Sequence, residues 1–305
     1  MKAVLFIIKF LFLSIICLGQ TDSANIYLKL GDNEFGEKAV AYYNKAIKFD
    51  ANNAVILNHR GLAKYNHGDY VGAILDLNEA IKINPDQNAN SFYFLAVSKE
   101  LTGDNVGAIL NYNKAIEINP NNADFYFRRG LAKENTENYA GAIVDYGKSI
   151  EINPKNNCMA FIIRGRCKAE LQDYRGAILD YSKGIEFNAD RICYLEAYYR
   201  RGNAKSMLQD HRGAILDYTK LIELAPDGYN YFLRGNAKWM LDDYSGAILD
   251  YTKAIEIRPS YDKAYFNRGL CKLFLGQKES GCLDFSKAGE LGLSEAYDVI
   301  KKSCN

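Results

Sequence analysis

Residues Tyr231–Pro259 read YFLRGNAKWMLDDYSGAILDYTKAIEIRP, and this stretch decides the fold. Gly235, Ala247 and Ala254 fall at helical spacing among Tyr, Leu and Ile. Apolar positions at i, i+3, i+4 and i+7 predict two amphipathic helices. The polar pair Asp242-Asp243 marks the turn between them. Pro259 stops the second helix, because proline has no N–H for the next turn.

The same pattern recurs along the chain. Small residues opening each second helix are Ala39, Ala73, Ala108, Ala142, Ala177, Ala214, Ala247 and Gly281, at intervals of 33 to 37 residues. Twelve positions before seven of them stand Gly61, Ala96, Gly130, Gly165, Gly202, Gly235 and Gly269. An aromatic follows each opening residue by four (Tyr43, Tyr112, Tyr146, Tyr181, Tyr218, Tyr251, Phe285), with Leu77 in the remaining copy. The small residues let two antiparallel helices approach, and the aromatic fills the space beside them. All five prolines (Pro85, Pro120, Pro154, Pro226, Pro259) close a copy. The glycines follow the repeat period and read as packing glycines.

This periodicity resembles the tetratricopeptide repeat family, whose pattern is W-x2-L-G-x2-Y, A-x3-F and P over 34 residues. In the quoted stretch those positions are Tyr231, Arg234, Gly235, Lys238, Ala247, Tyr251 and Pro259. Arg in place of Leu and Lys in place of Tyr depart from the family. The resemblance implies an all-α, right-handed α-solenoid of about eight helix pairs spanning residues 25–293, with units near 25–53, 54–88, 89–122, 123–157, 158–194, 195–227, 228–261 and 262–293. The first unit lacks the glycine of its first helix, as suits a terminal unit. The spacing stretches between Asn188 and Leu195, with Ala189 where proline usually stands, which predicts an irregular junction. Ser294 is positioned to N-cap a final helix from Glu295 to about Ser303, whose apolar side (Ala296, Tyr297, Val299, Ile300) caps the stack within a terminal segment 294–305.

The first residues, MKAVLFIIKFLFLSIICLGQ, have the basic start, apolar run and small residue before a polar one of a secretory signal peptide, 1–19. Lys9 breaks the run, which falls short of the ~20 apolar residues of a membrane span. Cys17 follows bulky Ile16, a poor fit to a lipoprotein signal. Residues 20–24 read as a short linker, and the mature chain is expected to be periplasmic or extracellular, with no stable membrane span.

Six of the chain's arginines sit just before a packing glycine: Arg60, Arg129, Arg164, Arg201, Arg234 and Arg268. Six aspartates recur in the second helices: Asp76, Asp145, Asp180, Asp217, Asp250 and Asp284. One copy loses both, to Leu95 and Asn111, so the two are expected to pair across helices as a structural ladder rather than line a cationic groove. Lys64, Lys99, Lys133, Lys168, Lys205, Lys238 and Lys272 follow one turn later, to join the ladder or reach solvent.

The resemblance implies binding on the face lined by first helices. Candidate groove residues are Tyr93, Phe127, Tyr199, Asn203, Met207 and Phe232 in the middle copies, then Asn236, Trp239, Met240, Phe266 and Phe274. Aromatic, Met and amide side chains suit an adaptable peptide groove, although the aromatics equally suit an inter-helix core. A carboxylate clamp for chaperone tails needs Lys ahead of the groove Asn, where Tyr199 and Phe232 stand.

No catalytic motif is present: there is no GxSxG, GxxxxGK[ST], HExxH, CxxC or GxGxxG. His59, His67 and His211 are too scattered for a zinc site, so no metal or other cofactor is expected. With 38 basic and 37 acidic residues, the chain carries no footprint of a nucleic-acid binder. Six cysteines follow the leader: Cys158, Cys167, Cys193, Cys271, Cys282 and Cys304. Folding the last helices antiparallel about Leu291–Leu293 brings Cys282 to Cys304, with Cys271 as competitor. Cys158–Cys193 is a second candidate pair, and buried thiols are the alternative for all. The expected function is a non-enzymatic exported scaffold or adaptor that takes a protein or peptide partner. The alternative is a binder of glycans or small molecules around Trp239.

Overall fold

A computed structural model describes residues 19–85, 88–154, 158–187 and 191–304. These residues form helices and connecting turns, without strands. Most of the proposed leader, and the first three residues of the 188–195 junction, lie outside them. The chain divides into two compact units, Met1–Ile152 and Asn153–Asn305.

In the first unit, α1 (19–32) pairs with α2 (Gly36–Phe49), and α3 (Ala54–Asn66) with α4 (Tyr70–Ile83). α5 (Ala89–Leu101) pairs with α6 (Asn105–Ile118), and α7 (Ala123–Asn135) with α8 (Tyr139–Ile152). In the second unit the pairs are α9 (Cys158–Glu170) with α10 (Tyr174–Phe187) and α11 (Arg191–Met207) with α12 (His211–Leu224). They continue with α13 (Gly228–Trp239) on α14 (Tyr244–Ile257) and α15 (Asp262–Phe274) on α16 (Lys278–Glu290), closed by α17 (Glu295–Ser303). Odd-numbered helices up to α15 are first helices and even-numbered ones second helices.

Four hairpins are built alike. The buried tyrosine of the second helix lies flat on the glycine of the first: a Cβ on Gly130, Gly165, Gly202 or Gly235 would sit 2.7 Å from Cε1 of Tyr146, Tyr181, Tyr218 or Tyr251. A methyl group there forces the ring away, so the glycine sets the distance between the helices. A second set of glycines has another cause. Asp69, Asp104, Asp210 and Asp243 N-cap their second helices by accepting from the backbone N–H of Gly72, Gly107, Gly213 and Gly246. A Cβ on any of these four would lie 2.0–2.1 Å from the capping carboxylate. Asp173 with Gly176 and Asn138 with Gly141 repeat the arrangement. Packing is therefore not the role of every glycine, as the sequence reading had it: these six stand where a cap needs room.

The first hairpin differs from expectation in two ways. Residues 20–24, read as a linker, are helical, and Ala24 is buried among Ala39, Tyr43 and Ile56. Nor does this hairpin lack its glycine. Gly31, one turn later than in the other copies, receives the ring of Tyr43 (2.5 Å from a built Cβ to Cε1). At the junction, α11 runs for 17 residues, and Arg191 near its start donates to the carbonyl of Leu224 at 2.7 Å.

At the other end α17 covers Phe285 and Ala288 with Ala296, Val299 and Ile300. Ser294 makes no side-chain cap there; the turn is closed by backbone bonds, Ala296 N–H to Leu293 O and Tyr297 N–H to Ser294 O. Cys282 and Cys304 are joined as a disulfide, Cα atoms 5.8 Å apart, and Cys158 is joined to Cys193 between α9 and α11 at 6.5 Å. Cys271 stays out of both bridges, a buried thiol pushed up to about 11 by burial, which keeps it from becoming a reactive thiolate.

Candidate functional site

The arginines decide which charges remain for a ligand. Arg129 donates from Nε and Nη2 to the two oxygens of Asp145 at 2.9 and 2.5 Å. Lys133 adds a contact at 2.7 Å to Oδ2. Arg60, Arg164, Arg201, Arg234 and Arg268 bind Asp76, Asp180, Asp217, Asp250 and Asp284 in the same two-pronged way. Lys64, Lys168, Lys205, Lys238 and Lys272 take the same carboxylates.

The remaining guanidinium nitrogen reaches back to the preceding second helix. It finds Asn44 from Arg60, Asn113 from Arg129, Ser182 from Arg201, Thr219 from Arg234 and Thr252 from Arg268. Each of these arginines thus ties three helices together. The guanidinium planes of Arg129, Arg164, Arg201, Arg234 and Arg268 also lie 5.3–5.6 Å from the centre of the ring three residues earlier. In the copy with Leu95 and Asn111, Lys99 turns to the cap residue Asp104 (3.9 Å) and Asn111 bonds to Gly107 O. The cations face inward, so they are not a groove for an acidic ligand.

The candidate groove residues separate into two groups. Phe232 is core, packed on Tyr251 and Tyr261. Tyr93 stacks on Phe125 and tilts on Tyr112, while Phe127 packs on Tyr146 and Phe266 on Phe285. These four are inter-helix packing. Phe274 is exposed at the end of α15 and stacks on Tyr244 of α14 (5.0 Å, 7° between planes). Tyr199 lies beside Tyr229, and their hydrogen bond, with burial second, pushes Tyr229 up to about 12. Met207 and Met240 are exposed.

Asn236, Trp239 and Met240 come together with Asn267 and Leu270 around a pocket of about 270 Å³ between α13 and α15. Asn236 Oδ1 accepts from Tyr251 Oη (2.9 Å) and from Asn267 Nδ2 (3.0 Å). With its oxygen used twice, its amide N–H groups remain to donate into the pocket. The indole Nε1–H of Trp239 is buried and has no acceptor among the described residues. An unanswered buried donor carries a desolvation cost.

The Tyr251–Asn236 bond belongs to a wider pattern. The buried ring of a second helix passes its hydroxyl across to the first helix and fixes one polar residue there. In the second unit that residue is Asn203 (from Tyr218, 2.8 Å) or Asn236; in the first it is a carboxylate, Asp32 (from Tyr43, 2.9 Å), Glu100 (from Tyr112, 2.7 Å) or Glu134 (from Tyr146, 3.0 Å). Burial, assisted by the carboxylate partners, holds Tyr43 and Tyr112 far above the ordinary phenol range.

The sequence reading overlooked a second basin, in the first unit. It holds about 570 Å³ and is lined by Asp32, Phe35, Tyr43, His59, Leu62 and Asn66 among others. His59 Nδ1 lies 2.7 Å from Asp32 Oδ1. His59, 27 positions from Asp32 in the chain, looks isolated until α1 and α3 pack together. Among the described residues no three His, Cys, Asp or Glu side chains form a metal-ligand set, and no helix is long and apolar enough to cross a membrane.

Comparison with known proteins agrees with this architecture. The pattern of the family described as Tetratricopeptide repeat matches residues 21–53, 123–156, 195–227 and 229–261, and that described as TPR repeat matches 101–136. No curated protein sequence matches the chain. Among solved structures, a tetratricopeptide repeat protein from Parabacteroides merdae is 23% identical, with TM-score 0.55 over 83% of this chain and 99% of the other. The C-terminal part of a repeat-containing protein from Cytophaga hutchinsonii is 20% identical, with TM-score 0.65 over 80% of this chain and 97% of the other. YrrB, described as a TPR protein with an unusual peptide-binding site, is 19% identical, with TM-score 0.54 over 62% of this chain and 97% of its own. Matched over half its length, and built from the hairpins those matches encode, the chain belongs to the tetratricopeptide repeat family.

Proposed function

We propose that the chain is a non-enzymatic scaffold that holds an extended segment of a partner protein, with the Asn236–Trp239–Met240–Asn267–Leu270 pocket as one of its reading positions. The observation that carries this is the Asn236 amide, whose oxygen is already used, set beside the apolar walls of Trp239, Met240 and Leu270. A peptide carbonyl supplies the acceptor that this amide needs, and the adjoining Met and Leu accept an apolar side chain. At about 270 Å³ the pocket has room for one side chain.

The scaffold is further proposed to work outside the cytosol, periplasmic or extracellular, after cleavage behind Gly19. Two disulfides in a chain of this kind support an oxidising compartment. N-terminal sequencing of the purified native protein tests that part: a chain retaining Met1 argues against it.

Trp239 is the only tryptophan, so its fluorescence reports directly on the site. A photocrosslinking residue replacing Met240 is expected to capture a protein partner in the native envelope, and Trp239→Ala, which removes one apolar wall of the pocket, is expected to weaken capture about 5- to 30-fold. Capture unaffected by both Trp239→Ala and Asn236→Ala rejects the pocket. A sugar or metabolite that quenches Trp239 and displaces the partner moves the assignment to small-molecule binding.

A further inference from the structure

The basin of the first unit differs in chemistry from the pocket at Trp239. Two carboxylates line it, Asp32 and Glu34, and no lysine or arginine does. Asp32 Oδ1 is used twice, accepting from Tyr43 Oη at 2.9 Å and lying 2.7 Å from His59 Nδ1. Its Oδ2 and the half-buried Glu34 carboxylate have no partner among the described residues. A neutral imidazole carries one N–H, and the carboxylate beside Nδ1 holds it there, so Nε2 is left to accept. Tyr43 already spends its O–H on Asp32. Apart from the Asn66 amide, the polar side chains of the basin therefore have acceptors to offer and no donors.

One wall of the basin also breaks the repeat. The second helices α4, α6, α12 and α14 start from a capping aspartate, but α2 starts from Phe35, which makes no side-chain cap. The first hairpin forgoes that bond and sets a ring, 89% exposed, against the basin instead. A narrower pocket of about 190 Å³ adjoins, with His59 and Leu62 lining both. Asn88, Asn90 and Phe94 line its far side. Asn88 Oδ1 accepts from the N–H of Ser91, which leaves the Asn88 amide N–H groups to donate. Basin and pocket together reach from α1 across α3 to α5, longer than one small cation needs.

We infer that the basin takes the arginine side chain of an extended polypeptide, whose neighbouring residues lie along Asn88 and Asn90. A guanidinium has five N–H donors and no acceptor, the complement of a wall that only accepts. Its charge answers Asp32 and Glu34, and its flat face stacks on an aromatic ring such as Phe35. The asparagines next door offer both donors and acceptors, as a peptide main chain requires. The inference rests on the reading of the chain as a holder of an extended segment, and it adds the identity of one residue in that segment.

Nuclear magnetic resonance titration of the purified protein at low salt tests this, with acetyl-Ala-Ala-Arg-Ala-Ala-amide as the probe. The backbone amides of Gly36, His59 and Asn66 are expected to shift. Citrulline in place of the arginine keeps the shape without the charge, and that peptide is expected to bind about 10-fold more weakly. The arginine peptide is expected to lose a similar factor on a protein carrying Asp32→Asn and Glu34→Gln, which keeps an acceptor for Tyr43; circular dichroism checks its fold. Agmatine, a free guanidinium that reaches none of the asparagines, is expected to bind about 10-fold more weakly than the peptide. No shift at ~10 mM peptide overturns the proposal. So does equal binding of the citrulline peptide, or equal binding by the double variant. Agmatine as tight as the peptide overturns it too, in favour of a site for a small amine. These shifts are read in the first unit and Trp239 fluorescence in the second, so this inference and the Trp239 pocket fail separately.

Discussion

Arg234 holds Asp250 by two parallel hydrogen bonds, Nε to Oδ2 at 2.9 Å and Nη2 to Oδ1 at 2.6 Å, and spends its third nitrogen on Thr219 of the preceding hairpin. The bond to Asp250 outweighs burial and holds the guanidinium above its ordinary range. Because the carboxylate is almost fully buried, its removal strands Arg234 and Lys238 rather than freeing them. Asp250→Ala is expected to cost about 3 kcal/mol in urea unfolding at neutral pH. Replacing all three residues together, Arg234→Leu, Lys238→Met and Asp250→Leu, is expected to return to within about 1 kcal/mol of wild type. The α5–α6 hairpin shows that such a copy can be built, since Leu95 and Asn111 stand there without the pair. A single variant as stable as the wild type would remove the ladder from any account of stability.

Much of this was legible in the sequence, and the reason is repetition. One hairpin's signal is weak, but Gly235, Ala247 and Tyr251 recur with the same spacing in copy after copy, so the register is overdetermined. The joint loss at Leu95 and Asn111 carried the ladder, because paired residues vanish together. The reach of each arginine to a third helix was not legible: Asn44, Asn113, Ser182, Thr219 and Thr252 share a place, not a side chain. Gly31 was missed because it is one turn out of register. Its role follows from where the Tyr43 ring falls, and spacing does not give that. The groove aromatics were ambiguous because a first-helix ring near a packing glycine can turn toward either face. Packing in three dimensions decides, and it put Phe232 in the core and Trp239 in the pocket.

A second prediction concerns the turns inside the hairpins. Each needs one residue in the left-handed region. Gly68, Gly103 and Gly276 fill it in three hairpins, at φ of 74–90°, but Glu137, Gln172, Gln209 and Asp242 fill it in four others, at φ of 58–65°. A side chain there carries a steric cost of roughly 1 kcal/mol that glycine avoids. The glycine gain is partly offset by the greater freedom of the unfolded chain. Gln172→Gly and Gln209→Gly, both at exposed sites, are each expected to stabilise by about 0.5–1 kcal/mol in chemical denaturation. A loss of stability in both would mean that these side chains make contacts that outweigh the backbone strain.

The buried tyrosines give the fold an alkaline limit. Burial pushes Tyr181 up to about 12, and Tyr218 and Tyr251 further. In the unfolded chain a phenol ionises near ~10. Below that pH both states keep the proton and stability is whole. As pH rises toward 12 the unfolded chain releases protons that the folded one retains, so stability falls. The part of the phenolate absorbance that belongs to the buried rings is expected to appear together with the loss of circular dichroism, in one cooperative step between about pH 10 and 12. Smooth titration of all the tyrosines near pH 10, with the helix signal intact, would contradict the burial of these rings.

The last hairpin and its cap depend on a covalent tie. Cys282 lies in the second turn of α16 beside buried Gly281, and Cys304 follows α17, 22 positions further along the chain. A closed loop of that length stabilises by about 3 kcal/mol in the chain-entropy model. The tie matters here because α17 is a short helix of nine residues, without a side-chain cap at Ser294, held otherwise by Ala296, Val299 and Ile300 against Phe285 and Ala288. Cys304→Ser is expected to speed amide exchange throughout α17 and the second half of α16. Exchange in α9 to α12 should be unchanged, because repeat hairpins share stability mainly with their neighbours. Loss of α17 would bare Phe285, so the same variant is expected to bind an apolar dye more strongly than the wild type. If exchange in α17 is identical with and without the bridge, apolar packing alone holds the cap in place, and the disulfide adds nothing to its stability.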